Sequence, residues 1–211
     1  MTVHTIQQGW GATNPDSAVS IRCPSCKQVG VLDVFGNVND VQLPDQTALG
    51  SRYCPNVSCR AVLSIVHRNR QVLASYPPER LDFDATNIPA AVLTSFEEAI
   101  TCHANACFIA AAIMVRKTLE GLCHDRKAEG DNLKARIRVL GEKVVLPKEL
   151  LDGLDDLRLL GNDAAHVESQ EYNQVGKEEV EVGVEFTKEV LKAVYQYSAL
   201  LQRLRGLKRQ P

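Results

Sequence analysis

Four cysteines stand in two close pairs, Cys23-Pro-Ser-Cys26 and Cys54-Pro-Asn-Val-Ser-Cys59. Thiolate is a favoured zinc ligand, and structural zinc takes four ligands in a tetrahedron. One short turn brings two thiolates to an ion, and two such turns close the shell. Proline follows the first cysteine of each pair and helps to fix the turn. The second pair is wider than the usual two-residue gap, which leaves His67 open as a substitute ligand. A shell of four thiolates keeps no position for water, so zinc held there is expected to be structural. Two other readings compete: unrelated buried thiols in a reduced compartment, and a redox Cys-x-x-Cys. The redox reading lacks the βαβ pattern that such a motif sits in.

A second group of residues lies in "RLLGNDAAH", Arg158 to His166. Arg158, Asn162 and His166 are four residues apart, and Gly161 interrupts the apolar period between them. On an unbroken helix the three would spread over about 80° and form one polar stripe. If Gly161 ends the helix, Asn162 or Asp163 caps a new turn leading to His166. The expectation is a helix junction that gathers the three beside Arg116 and Glu120, an i,i+4 pair on an earlier helix. Such a cluster could be catalytic. It could equally be a polar knot in which Arg158 pairs with Glu120 or Asp155 and His166 bonds a helix-end carbonyl.

The elements that must position these groups divide into two halves. Residues 1–76 carry short β-branched runs between Gly, Asn and Pro, with one hairpin over Ala61–Val66 and Gln71–Tyr76. That predicts a small β-rich zinc ribbon, since so small a core needs a staple. Residues 77–88, opening on Pro77 and Pro78, form a linker. From Pro89 the period becomes helical, and five helices follow over residues 89–211: about 89–103, 105–129, 131–143, 147–160 and 178–204. Asp131 is the expected cap of the third. The architecture expected is mainly α, a five-helix bundle preceded by the ribbon. Cys102, Cys107 and Cys123 fall on these helices and are read as core thiols. The run Ala110-Ala111-Ala112 permits close approach of another helix and suggests a homodimer.

Composition narrows the function classes. The apolar share is 45% and the charged share 24%, as in a soluble globular protein. No apolar run approaches the ~20 residues that span a bilayer, so no membrane partner is expected. The first twenty residues show no secretory signal, which predicts a cytoplasmic protein with reduced cysteines. Net charge is −2, so nucleic acid could be held only through a local patch. The best candidate is the tail with Arg203, Arg205, Lys208 and Arg209, which reads equally as a solvated helix end. There is no Gly-rich phosphate loop and no paired-carboxylate metal motif.

The segments "IPAAVLTSFEEAITCHANACFIAAAIMVRKTLEGL" and "LDDLRLLGNDAAHV", followed by a long closing helix, resemble the domain-of-unknown-function family 4145. The resemblance covers about Pro77 to Leu204. That family is similar to the HEPN superfamily of helical domains, and it occurs with N-terminal zinc ribbons and near restriction systems. The resemblance implies a HEPN-like bundle and a homodimer with Arg158 and His166 as an active site for metal-independent RNA cleavage. His166 would serve as base or acid. Arg158 would hold the phosphate, and Asn162 would orient one of them. The setting implied is prokaryotic defence or restriction. The competing readings are a non-catalytic dimeric adaptor whose zinc ribbon binds nucleic acid or a protein partner, and an inert scaffold of a restriction-like complex.

Overall fold

The computed structural model describes residues 11–13, 19–35, 40–166 and 174–207. The chain divides into two compact units, Met1–Asp82 and Phe83–Pro211.

The first unit is an antiparallel sheet of seven strands among the described residues: β1 (Gly11–Thr13), β2 (Val19–Arg22), β3 (Val29–Val34), β4 (Asp40–Gln42), β5 (Ala48–Tyr53), β6 (Val62–Arg68) and β7 (Gln71–Tyr76). β5 is the hub. Its whole length pairs with β6 on one edge. On the other edge it pairs with β4 through Ala48 and Leu49 and with β3 through Arg52 and Tyr53. β3 leaves β5 to pair with β2, and β2 returns close to β7. The sheet therefore curls into a near-barrel. Alternate residues of β2 and β6 point inward, so Val19 and Ile21 meet Leu63, Ile65 and Leu32 in one core, with Val72 against it. The β6–β7 hairpin turns on Asn69 and Arg70, both left-handed, which suits the two-residue turn that follows the strand twist.

This corrects the expectation of a small zinc ribbon. Strands β3 to β5 are three to six residues long and contain Gly30, Asp33, Asp40 and Gly50. Residues of these types punctuate loops in a local reading, whereas here long-range pairing to a central strand recruits them into the sheet.

The second unit holds six α-helices among the described residues: α1 (Ala90–Ala104), α2 (Phe108–Asp125), α3 (Leu133–Lys143), α4 (Lys148–Ala165), α5 (Lys177–Leu191) and α6 (Tyr197–Gly206). A π-helical turn, Lys192–Gln196, joins α5 to α6 without a loop. Pro89 and Pro147 stand at the N-terminal boundaries of α1 and α4, where a missing N–H costs nothing. Asn132, not Asp131, caps α3: its side chain accepts the Ala135 N–H at 2.9 Å. Phe83 stacks edge-on against Phe96 of α1, with ring centroids 4.6 Å apart. The Gln196 amide donates to the Asp84 and Thr86 carbonyls, at 2.8 and 3.3 Å.

"RLLGNDAAH" is not a helix junction. α4 runs unbroken through Gly161 and ends at His166. Glycine is needed there for space: a Cβ on it would lie 2.5 Å from the Arg116 Cβ and 3.3 Å from the Ala112 carbonyl. α2 and α4 thus cross closely at Ala112 and Gly161. Ala111 and Ala112 are fully buried inside this unit and Ala110 is exposed, so two of the three small residues expected to meet a second chain are already covered.

Candidate functional site

The first cysteine of each pair follows a strand end directly, Cys23 after β2 and Cys54 after β5. Both turns close the same way. The Lys27 N–H bonds the Cys23 carbonyl and the Arg60 N–H bonds the Asn56 carbonyl, and Lys27 and Arg60 are both left-handed. The Asn56 side chain accepts the Ser58 N–H and donates to Gln28 at 2.9 Å, which ties the second turn to the first. The four sulfurs lie within 4.8 Å of one another. Two of the separations are 3.8 Å, Cys23 to Cys59, and 3.6 Å, Cys26 to Cys54. A tetrahedron with metal–sulfur bonds of ~2.3 Å has edges of ~3.8 Å, so the spacing fits one ion bound by four thiolates. Burial pushes the Cys54 thiol up, while a hydrogen bond from Ser25 draws Cys59 down. Four adjacent thiolates repel one another unless a cation stands between them.

His67 is not part of this group. Its Nε2 lies 2.8 Å from Asp40 Oδ2, and Arg52 clasps the same carboxylate through two bonds of 2.6 and 2.8 Å. Asp40, Arg52 and His67 are at most 4% exposed. Burial by itself would raise the Asp40 pKa, yet Arg52 and His67 hold it below the ordinary carboxylate value. This buried triad was missed in the sequence because its members are 12 and 15 residues apart on three strands. The only local trace is an Arg at an inward position of a strand.

In the helical unit the Arg158 guanidinium bonds Asp155 at 2.6 and 3.3 Å and holds that carboxyl below its usual range. Arg116 reaches from α2 to α4, donating to Asn162 Oδ1 at 2.5 Å and to the Arg158 carbonyl at 3.5 Å. Its Nε pairs with Glu120 at 3.2 Å. Arg116, Glu120, Arg158 and Asn162 are therefore brought together, with Asp155 as an added member. The two guanidiniums face two carboxylates, so these five side chains carry no net charge. His166 stands exposed at the C-terminal boundary of α4, where its backbone N–H bonds the Asn162 carbonyl.

Among the remaining cysteines, Cys123 is buried and its thiol is pushed up to about 11 by that burial. Cys102 is half-buried, and Cys107 is exposed at the start of α2 rather than in the core. Arg203 and Arg205 lie on α6, while Lys208 and Arg209 fall outside the described residues. Among the described residues no helix is long and apolar enough to cross a membrane.

Comparison with protein families matches residues 97–207 to the model described as Domain of unknown function (DUF4145). The match lies wholly within the helical unit and leaves the cysteine cluster outside it. No curated protein and no solved structure matches.

Proposed function

The chain belongs to the DUF4145 family, and from that premise we propose that it is a non-catalytic adaptor, its β-unit stapled by zinc and its helical unit pairing with a second copy. The carrying observation is the neutral clamp between α2 and α4. Phosphate recognition needs guanidinium charge left over for the anion. Arg158 is engaged by Asp155, and Arg116 by Asn162 and Glu120. The cluster's chemistry is thus directed at holding two helices in register.

Zinc would be held by Cys23, Cys26, Cys54 and Cys59, and with four protein ligands it supplies structural cross-linking rather than an activated water. It ties the turn after β2 to the turn after β5, leaving the outer face of the sheet to recognise nucleic acid or a protein partner. Metal-independent RNA cleavage by Arg158, Asn162 and His166, in a defence or restriction setting, is the second reading. It is favoured by the exposure of His166 one turn beyond Asn162.

Melting and RNA cleavage measured on the same two variants separate these readings. For an adaptor, wild-type protein leaves varied RNAs intact. Arg158→Ala then destabilises by about 1 kcal/mol through loss of the Asp155 bonds, and His166→Ala changes stability by less than ~0.5 kcal/mol. RNA cleavage by the wild type, abolished in both variants at unchanged melting, would establish the enzyme instead.

A further inference from the structure

The helical rod formed by α5, the π turn and α6 ends unlike the other helices. Every described residue from Leu200 to Leu207 is exposed. Four are leucines, Leu200, Leu201, Leu204 and Leu207, each 52–81% exposed, and Tyr197 precedes them at 48%. Tyr197, Leu200, Leu204 and Leu207 recur at the alternating three- and four-residue spacing of a helix–helix seam. A ten-residue helix is marginal alone in water and draws its stability from packing an apolar face. The arm also carries Arg203 and Arg205 and no acidic residue, a charge of +2.

α5 has the opposite character. A shallow groove along it is lined by Glu178, Glu181, Val182, Glu185, Phe186 and Glu189. Val182 is 64% exposed on that face. With five Glu and two Lys, α5 carries −3. Lys188 and Lys192 pair with Glu185 and Glu189 at 2.9 and 3.5 Å, but these are exposed contacts within one turn and exchange readily. One rod thus joins an acidic half with an apolar strip to a basic half with an apolar strip.

We propose that the α6 arm of one chain lies antiparallel along the α5 face of a second copy, reciprocally, about a two-fold axis crossing the π turn. Charge selects this orientation. Parallel rods would set Arg203 and Arg205 against their own copies and glutamate against glutamate. Antiparallel rods set basic against acidic twice, and the contact closes on itself, as a two-fold interface must. Opposed helix dipoles favour the same arrangement. This inference rests on the self-pairing part of the adaptor reading and assigns its surface.

The test is light scattering of the full chain at tens of micromolar and low salt, with circular dichroism to check that each variant is folded. Wild-type protein should be a dimer. Leu200→Glu with Leu204→Glu should weaken pairing at least tenfold, as should Arg203→Glu with Arg205→Glu, or Glu181→Arg with Glu185→Arg. A chain carrying both charge reversals together should recover the dimer, which a merely damaged fold would not. A wild-type dimer indifferent to the leucine changes would overturn this surface and leave self-pairing intact elsewhere. A wild-type monomer would overturn both. If that monomer floats with anionic phospholipid vesicles, the arm belongs to a membrane surface instead.

Discussion

Gly50 of β5 is the position at which one methyl group should undo the most structure. A Cβ built on it would fall onto Asp40 Oδ1, 2.5 Å from the Asp40 Cγ and 2.6 Å from Arg52 Nη1. Neither neighbour has room to yield, since both are buried in the sheet. In Gly50→Ala the Asp40 carboxylate must leave, taking with it the two Arg52 bonds and the His67 bond. Breaking a buried pair costs about 3–5 kcal/mol, and replacing glycine returns about 0.4–1 kcal/mol through the unfolded chain. The net loss is about 2–4.6 kcal/mol, which at ~1.4 kcal/mol per tenfold corresponds to about 30- to 2,000-fold. Hydrogen exchange followed by mass spectrometry on peptides covering β4 to β6 reads this as faster exchange of amides that open with the sheet. Peptides from α2 and α4 provide the internal reference. Gly30→Ala is the matched control, because its nearest neighbour would be Pro55 Cγ at 3.9 Å. Exchange within threefold of wild type in Gly50→Ala, or an equal loss in Gly30→Ala, would refute the role given to the triad.

Three further outcomes follow from the geometry. Purified protein should hold about one zinc per chain; stripping it with a strong chelator, or Cys54→Ser, should loosen the β-unit, with circular dichroism and metal analysis as the readouts. Acid should weaken the β-unit through Asp40. A carboxylate held below its unfolded pKa of ~3.9 contributes stability that is full above that value and lost as pH falls through the folded one. Unfolding followed from pH 6 to pH 2 should therefore show little change above pH 5 and a decline below about pH 4, shallower in Asp40→Asn relative to its own neutral-pH value. Asn132→Ala should cost about 1 kcal/mol as a lost helix cap, while Asp131→Ala stays within ~0.5 kcal/mol, measured by thermal melting.

The cysteine cluster was legible because its information is local: two short spacings and a proline after the first cysteine of each. The helices were legible for a similar reason, since a period of 3.6 repeats within each segment and needs no partner to be seen. β3 to β5 were not, because they are defined by what they pair with. Arg52 and Asp40 look like loop polarity until β5 pairs with β4 and sets them in one interior. Gly161 misled in the opposite direction. Its helix-breaking tendency is real, about 1 kcal/mol relative to alanine, but the close crossing with α2 outweighs it and demands the missing side chain. The Arg116–Asn162 bond depends on that crossing; the polar spacing already put the two residues in one cluster, and the crossing supplies the bond itself.

The π turn between α5 and α6 has a consequence for phase. A π-helical turn holds one residue more than the α-helical turn it replaces, and each α-helical residue advances about 100° around the axis. Were the five residues Lys192–Gln196 to wind as α-helix instead, five steps of about 100° in place of about 80° would swing everything beyond them by about 100°. Leu200, Leu204 and both arginines would keep their identities, their spacing and their charge, yet look in another direction. The turn therefore acts as an angular offset written into the backbone, so the aim of the C-terminal arm is encoded in how those five residues wind, and side-chain composition alone does not determine it.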